Sequence, residues 1–144
     1  MTLPTVLVVD DDADFRRAIS ARIASEGMVP VMARGGADAL TLFEQLQPAA
    51  IVLDANMPDV SGPEACKQFR EARGGRTTCI VFVSGASAPS PDYVRRCAEV
   101  AGGDYFFAKP VDHAQLLEVL RSAVRQASAE RSRAGDTPHP APAP

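Results

Sequence analysis

The sequence predicts an α/β fold in which a parallel five-stranded sheet lies between two layers of helices. Five short apolar runs alternate with five segments of helical periodicity along the chain. The connections between them are short, as they are in βα units. Several of the apolar runs are continuous rather than alternating, which is typical of parallel strands that are covered on both faces.

The first strand is predicted from a β-branched run, and the first helix from the residues that can cap its two ends. Residues 5–10 form a continuous run of this kind. Asp11 or Asp12 can cap the helix that follows, and Gly27 is suited to the position just past its end. The second strand and second helix are predicted at 29–33 and 36–46.

The third strand ends in a carboxylate. Residues 50–54 are apolar up to Asp54, and the run Met57-Pro58 with Gly62 prevents the strand from continuing. Pro63 suits the first turn of the next helix, where its missing N–H leaves no bond unmade. That helix is predicted to reach about residue 73, and the fourth strand is predicted at 79–84.

The remaining elements are predicted from caps and an apolar helical face. Ser90 can cap a short fourth helix that begins with Pro91, and residues 104–108 form the fifth strand. Asp112 opens a capping box for the last helix, whose apolar period fades after about Ala127. The later residues are rich in Ser, Arg, Pro and Ala.

The order of elements favours one doubly wound domain. Right-handed crossovers and a central first strand give the strand order 2-1-3-4-5 of flavodoxin-like (βα)5 folds. We expect this domain to occupy residues 1–127. We expect a disordered Pro/Ala-rich tail or linker at 128–144, because that segment cannot bury enough apolar surface to offset the entropy of ordering.

Composition narrows the class of protein. Fifteen basic and 18 acidic residues give a net charge of −3 with no basic patch, so we expect no direct nucleic acid binding. No apolar run approaches the roughly 20 residues of a membrane span, and we expect a cytoplasmic protein. The three cysteines form no C-x-x-C pair, and we interpret them as reduced and partly buried.

Polar side chains stand at the C-terminal ends of four predicted strands. Asp10 and Asp11 follow the first strand and Asp54 ends the third, while Ser84 and Lys109 follow the fourth and fifth. In a parallel sheet these ends are neighbours, and ligands bind at this edge. We therefore expect three carboxylates, one hydroxyl and one ammonium to share a shallow cleft.

Electrostatics constrains what this group can do. Three close carboxylates repel one another, and one lysine cannot neutralise them, so a divalent hard cation such as Mg²⁺ is expected. A carboxylate beside magnesium can attack phosphorus and carry an aspartyl phosphate. The hydroxyl and the ammonium can then bind the remaining phosphoryl oxygens.

Each of these residues also has an ordinary structural interpretation. Helix capping alone would explain Asp10 to Asp12. Ser84 can be an ordinary turn hydroxyl, and Lys109 can be an exposed surface charge. The chain contains only two lysines, Lys67 and Lys109, against an arginine background. A compact point charge is therefore favoured at Lys109. The joint occurrence at four strand ends favours a functional site.

The motifs around these residues resemble the signature of response-regulator receiver domains, the single-domain chemotaxis type included. The resemblance covers about residues 5–126 and involves four motifs in order. They are Val8-Val9-Asp10-Asp11-Asp12, Leu53-Asp54-Ala55-Asn56-Met57-Pro58-Asp59-Val60-Ser61-Gly62, Val83-Ser84-Gly85-Ala86 and Phe107-Ala108-Lys109-Pro110.

The resemblance implies a role for each motif residue. Asp54 would be the phosphoacceptor, Asp10 and Asp11 the acid pair, and Asn56 a magnesium ligand through its backbone carbonyl. Pro58 and Gly62 would shape the loop that follows the acceptor. These residues appear in that order in the sequence.

The resemblance also implies a switch. Ser84 would be the switch hydroxyl, and Lys109 the phosphoryl-binding cation before Pro110, whose peptide bond is typically cis in the family. The switch aromatic falls on Phe106, which lacks the hydroxyl of the more usual tyrosine. Asn56 and Ala86 resemble the positions that tune phosphate lifetime.

We therefore predict a response regulator that is not an enzyme in its own right but assists its own phosphorylation and dephosphorylation. Its expected partners are a sensor histidine kinase or histidine phosphotransfer protein and an unidentified downstream protein. It would be a monomer or a phosphorylation-dependent homodimer. The alternatives are a receiver fragment of a larger regulator, an unphosphorylated receiver-like scaffold, and a small magnesium-dependent phosphohydrolase of the haloacid-dehalogenase type, whose Asp-x-Asp-x-Thr motif lacks its Thr here.

Overall fold

Strands and helices alternate along the whole described chain. The computed structural model describes residues 3–85 and 91–136. The strands are β1 (Thr5–Val9), β2 (Val29–Ala33), β3 (Ala50–Asp54), β4 (Cys79–Ser84) and β5 (Tyr105–Ala108). The helices are α1 (Ala13–Ser25), α2 (Gly36–Leu46), α3 (Gly62–Glu71), α4 (Pro91–Ala101) and α5 (His113–Asp136).

The five strands form one parallel sheet in the order β2-β1-β3-β4-β5, which confirms the predicted doubly wound topology. Val9 of β1 pairs with Leu53 of β3, and Asp54 pairs with Val83 of β4. The C-terminal ends of the three central strands are therefore level. This register brings the polar residues that follow them to one edge.

The apolar core lies on both faces of the sheet, because successive strand residues point to opposite sides. Leu7 and Leu53 pack with apolar residues of α2, α3 and α4 on one face. Val8 and Val52 pack with apolar residues of α1 and α5 on the other. All four are fully buried, and each buried side chain of this size contributes about 1.5–3 kcal/mol. The two-sided burial explains the continuous apolar runs.

Three of the residues predicted to lie at helix ends are found there, namely Asp12, Asp112 and Gly27. The Asp12 side chain accepts hydrogen bonds from the backbone N–H groups of Asp14 and Phe15 and so begins α1. The Asp112 carboxylate accepts from the N–H of Gln115 at 3.2 Å at the start of α5. Gly27, just past the end of α1, has φ +80°, a value that favours glycine.

The end of the last helix differs from the prediction. Helix α5 continues past Ala127 to Asp136, so the predicted disorder is wrong for residues 128–136. This stretch lacks an apolar face, but most of it consists of Ala, Glu, Arg and Ser, which extend a helix once it is nucleated. The predicted cap Ser90 and the rest of the tail, 137–144, lie outside the described residues.

A partly buried arginine, Arg70, joins several elements at the N-terminal edge of the sheet. The Arg70 guanidinium donates five hydrogen bonds of 2.6–3.0 Å, to the carbonyl oxygens of Gly75, Thr78 and Gly102 and to the carboxylate of Asp104. That carboxylate also accepts from the N–H of Ile80 at 2.8 Å. Arg70 thus joins α3, the end of α4, and the starts of β4 and β5.

The three cysteines form no disulfide bond. All three cysteines are free. Burial raises the pKa of Cys66 to about 11 and that of Cys79 to about 12, so both are thiols at neutral pH. Among the described helices, none is both long and apolar enough to span a membrane.

Candidate functional site

Three carboxylates meet at the C-terminal edge of the sheet. Asp10, Asp11 and Asp54 each offer a carboxylate oxygen, and these atoms lie within 4.8 Å of one another. Asp10 is fully buried and Asp54 is 5% exposed, whereas Asp11 is exposed. The structure therefore brings together the residues that the sequence places at the ends of β1 and β3.

Asp10 is held by donors on both sides of its carboxylate. The backbone N–H of Asp12 donates to Asp10 Oδ1 at 2.8 Å, and Lys109 Nζ donates to Oδ2 at 2.8 Å. Arg16 also donates to the Asp10 carbonyl oxygen at 2.5 Å. Because both carboxylate oxygens and the carbonyl are bonded, Asp10 has a fixed orientation at the base of the cluster.

Asp54 is fixed by the loop that follows it. The N–H of Asn56 donates to Asp54 Oδ1 at 3.0 Å, and the N–H of Ala55 donates to the Val83 carbonyl at 2.8 Å. Gly62, at the end of this loop, packs directly against the backbone of Asp54 and Ala55. A Cβ at this position would collide with the Asp54 carbonyl oxygen and lie 2.6 Å from the Cα of Ala55. The loop geometry thus requires glycine at this position.

The environment keeps a proton on Asp54. Burial raises the pKa of Asp54 to about 8; the hydrogen bond from Asn56 opposes this shift, and the negative charge of Asp10 adds to it. The carboxyl group is therefore mostly protonated at pH 7 in the absence of a cation. A bound cation would favour its ionised form.

Ser84 and Lys109 lie side by side at the ends of β4 and β5. The N–H of Lys109 donates to the Ser84 carbonyl at 2.7 Å, and the peptide bond between Lys109 and Pro110 is cis, as the resemblance implies. The Ser84 side chain is 4% exposed. Its Oγ has no hydrogen-bond partner among the described residues. A buried hydroxyl of this kind is available to a ligand oxygen.

The aromatic pair on β5 lies farther from the carboxylates. Phe106 is half-buried, and the guanidinium carbon of Arg95 lies 5.4 Å from its ring centroid. Tyr105, beside it, is 47% exposed. Ala86, the predicted lifetime-tuning residue, lies outside the described residues, and Asn56 is exposed at the rim of the cluster.

Two long-range contacts at this edge were not predicted from the sequence. The Phe15 ring centroid lies 4.5 Å from Lys109 Nζ. The Asp59 carboxylate accepts from the N–H groups of Gly36 and Ala37, so it caps α2, which lacks a capping side chain of its own at Gly35. The absence of a capping side chain at Gly35 was a local signal that a residue distant in sequence caps α2.

The backbone N–H groups that donate to Asp59 also lower the pKa of its carboxyl group. Burial favours a higher pKa for Asp59, but the hydrogen bonds from Ala37, Val60 and Gly36 outweigh it and hold the pKa below its usual range. Asp59 is therefore ionised at neutral pH. It links the loop after β3 to the start of α2.

The residues present fit a divalent cation. Among the described residues of the cluster, one ammonium, that of Lys109, pairs with Asp10, and the pKa of Asp54 is raised first by burial and further by the charge of Asp10. Hard cations such as magnesium bind one or two carboxylates together with water and phosphoryl oxygens. The Ser84 hydroxyl, which has no partner among the described residues, and the Lys109 ammonium provide donors for an anion on the same edge.

The fold and this edge define a signalling domain of the two-component class. Residues 6–121 match the response regulator receiver domain family, and the chain belongs to that family. Receiver domains of response regulators interact with kinases and phosphotransfer proteins. The five-stranded order observed here is that of the chemotaxis-protein structures that resemble it.

Individual relatives agree with this assignment. The chain is 35% identical over 129 residues to the transcriptional regulatory protein KdpE of Mycobacterium tuberculosis, covering 90% of this chain and 54% of that protein. It is 32% identical over 116 residues to an uncharacterised 14.6 kDa protein of Leptolyngbya boryana, covering 81% and 86% of the two chains. A response regulator receiver protein structure from Pseudomonas putida has a TM-score of 0.74 and 30% identity, covering 85% of this chain and 98% of that one.

The fraction of each relative's length that aligns with this chain differs between the matches. The chain spans about half the length of the regulators MprA and KdpE, at 55% and 54%. It spans nearly all of the Pseudomonas putida structure. The similarity to the larger regulators therefore concerns their receiver portion.

Proposed function

We propose that the chain is a cytoplasmic phosphoacceptor that receives a phosphoryl group on Asp54 from a histidine kinase or a histidine phosphotransfer protein. The observation that carries this proposal is the position of Asp54. Its buried carboxyl lies within 4.8 Å of the acid pair Asp10 and Asp11, on the same edge as Lys109. Membership of the receiver family favours this function over a small phosphohydrolase.

Magnesium is the proposed cofactor of this site. Asp10, Asp11 and Asp54 would hold it with their carboxylates, and Asn56 with its backbone carbonyl. Bound magnesium would supply positive charge that stabilises both the ionised Asp54 and the charge that develops on the transferring phosphoryl group. Removal of magnesium is therefore expected to stop phosphorylation.

The transfer itself is a substitution at phosphorus. An Asp54 carboxylate oxygen forms the new bond to phosphorus, while the bond from phosphorus to the donor histidine nitrogen breaks and its electron pair stays with that nitrogen. Lys109 and the Ser84 hydroxyl then donate to oxygens of the new phosphoryl group. The buried Ser84 Oγ, which has no partner among the described residues, supports this role.

Phosphorylation would change the surface formed by α4, β5 and α5. The proposed movement of Ser84 toward the phosphoryl group opens space beside β4, into which the half-buried Phe106 can rotate. This rotation would break the contact between Phe106 and Arg95. The changed surface would alter affinity for a downstream protein or for a second copy of the chain.

The chain would also assist its own dephosphorylation. The same acid cluster can orient a water molecule for attack on the acyl phosphate, as it orients the phosphodonor. Asn56 lies at the rim of the site, where a side chain can limit the approach of water. We propose that Asn56 and Ala86 set the lifetime of the phosphorylated form.

The experiment for this proposal is an intact-mass measurement after incubation with acetyl phosphate and magnesium. We expect one added phosphoryl group in the wild type and none in Asp54→Asn. The matched control is Asp59→Asn, which removes an exposed carboxylate from the same loop but outside the cluster. Equal phosphorylation of Asp54→Asn and the wild type would show that the acceptor is another residue.

A further inference from the structure

The ammonium of Lys109 lies against an aromatic ring as well as a carboxylate. Nζ is 4.5 Å from the ring centroid of Phe15, the third residue of α1. It is also 2.8 Å from Asp10 Oδ2 and 4.0 Å from Asp12 Oδ2. The Lys109 side chain is 20% exposed, so these contacts are largely shielded from water. An ammonium this close to a ring face is attracted by the ring quadrupole.

The two kinds of contact respond differently to the ligands of the site. The Asp10 carboxylate is shared, because a cation bound by the acid pair draws the same negative charge away from Lys109. The Phe15 ring carries no oxygen, so it neither binds magnesium nor accepts the hydrogen bonds that a phosphoryl group requires. Its attraction for the ammonium therefore remains when the carboxylate is engaged.

We propose that Phe15 is a positioning residue that holds the Lys109 ammonium at the phosphoryl position through a cation–π contact. This inference rests on the proposed function of Asp54 as phosphoacceptor. The ring keeps Nζ at the edge of the site, and the N–H groups that do not bond Asp10 stay available to phosphoryl oxygens. Without the Phe15 ring, the Lys109 ammonium would more often point into solvent, and it would have to return to the phosphoryl position during transfer.

Simple packing is the alternative role for Phe15, because the ring is half-buried against the core beside α1 and α5. The two roles can be separated by the electronic character of the ring. Fluorine atoms on a phenyl ring withdraw charge from its face and weaken cation–π attraction, while the shape changes little. A packing role depends on shape, and a positioning role depends on the charge of the face.

The test is the initial rate of Asp54 phosphorylation by acetyl phosphate at saturating magnesium, in the full chain with fluorinated phenylalanines at residue 15. We expect the rate to fall steadily with one, two and three fluorines, by about fivefold at three. Phe15→Leu should be slowed at least as much, and Phe15→Trp should retain the wild-type rate. The same fluorinated residues at Phe43, fully buried on the opposite face of the sheet, should leave the rate unchanged.

A second measurement does not depend on phosphorylation. Protons that lie over a ring face resonate upfield, so the Lys109 ε-methylene protons should be shifted upfield in the wild type and return to ordinary values in Phe15→Leu. Absence of that shift, or a rate that is flat across the fluorinated series, overturns the inference. If the wild type takes up no phosphoryl group on Asp54, the proposed function fails instead, so the two failures are distinguishable.

Discussion

At the N-terminal edge of the sheet, one cation is surrounded by matched acceptors, whereas at the C-terminal edge the anions outnumber their cation. Arg70 donates five hydrogen bonds, and its ion-pair partner Asp104 also accepts a backbone N–H. Of the three clustered carboxylates, Asp10, Asp11 and Asp54, only Asp10 is paired with the Lys109 ammonium among the described contacts, and burial raises the pKa of Asp54 to about 8. Both edges belong to the same five strands.

This comparison distinguishes charged residues that maintain the fold from charged residues that bind ligands. Loss of one partner from a shielded and fully bonded charge costs stability, because the groups left behind are unpaired. A cluster with surplus like charge destabilises the fold until a ligand neutralises it. Residues at the C-terminal edge should therefore control ligand binding, and residues at the N-terminal edge should control stability. The following variants test this division.

The largest effect is expected at Asp11. The change Asp11→Asn removes one charge from the cluster, and two unit charges about 4 Å apart near a protein surface interact by about 4 kcal/mol, a value that a divalent ion doubles. Magnesium affinity should fall at least about 100-fold, as measured by calorimetric titration, with no loss of stability in urea. Asp14→Asn is the control, since Asp14 is exposed and pairs with Arg17 outside the cluster. Equal loss in both variants would refute the assigned site.

The next effect is expected at Arg70. Arg70→Met leaves the acceptors of Gly75, Thr78 and Gly102 without this donor, so the free energy of unfolding should fall by about 2–3 kcal/mol in urea denaturation. Arg73→Met, three residues on and exposed, should change it by less than about 0.5 kcal/mol. Magnesium affinity of folded Arg70→Met should match the wild type, and a large loss of affinity would break the division between the edges.

A pH-dependent effect is expected at Asp54. Because the folded-state pKa is raised, from 3.8 to about 8, the stability linked to this group is present below pH 4 and is lost as the pH rises toward 8. In the absence of magnesium, Asp54→Asn should therefore stabilise the protein more at pH 8 than at pH 5, by at least about 2 kcal/mol. Urea denaturation at the two pH values measures this difference. An equal gain at both would mean that Asp54 is not held protonated.

The smallest effect is expected from two buried hydroxyls near opposite ends of β4. Thr78 Oγ1 donates to the Pro48 carbonyl at 3.0 Å, so Thr78→Val should cost about 1 kcal/mol of stability. Ser84 Oγ has no partner among the described residues, and Ser84→Ala should change stability by less than about 0.5 kcal/mol. Thermal denaturation of both variants checks the comparison, and the reverse order would contradict it.

Much of the fold could be predicted because its signals are local. The two-sided burial of β1, β3 and β4 is visible as continuous apolar runs, and Asp12 and Asp112 mark helix starts through their own side chains. The strand-end residues of the candidate site were also predictable, because topology alone brings the ends of parallel strands together. Residues 36–46 were predicted as a helix with its observed bounds.

The contacts that were missed depend on side chains distant in sequence. Nothing near Arg70 indicates that its acceptors come from α4 and β5, and nothing near Phe15 indicates that Lys109, 94 positions later, lies over its ring. The end of α5 was missed for another reason. Apolar periodicity reports packing, whereas continuation of α5 to Asp136 depends on intrinsic helix propensity.

Amide hydrogen exchange with and without magnesium and beryllofluoride, a stable mimic of the phosphoryl group, tests the division between the edges most directly. We expect slower exchange in residues 55–61, which follow Asp54, because the ligands complete the charge balance at that edge. We expect unchanged exchange in residues 72–78, where Arg70 already bonds its acceptors. Slower exchange at 72–78, with no change at 55–61, would contradict the division between the two edges.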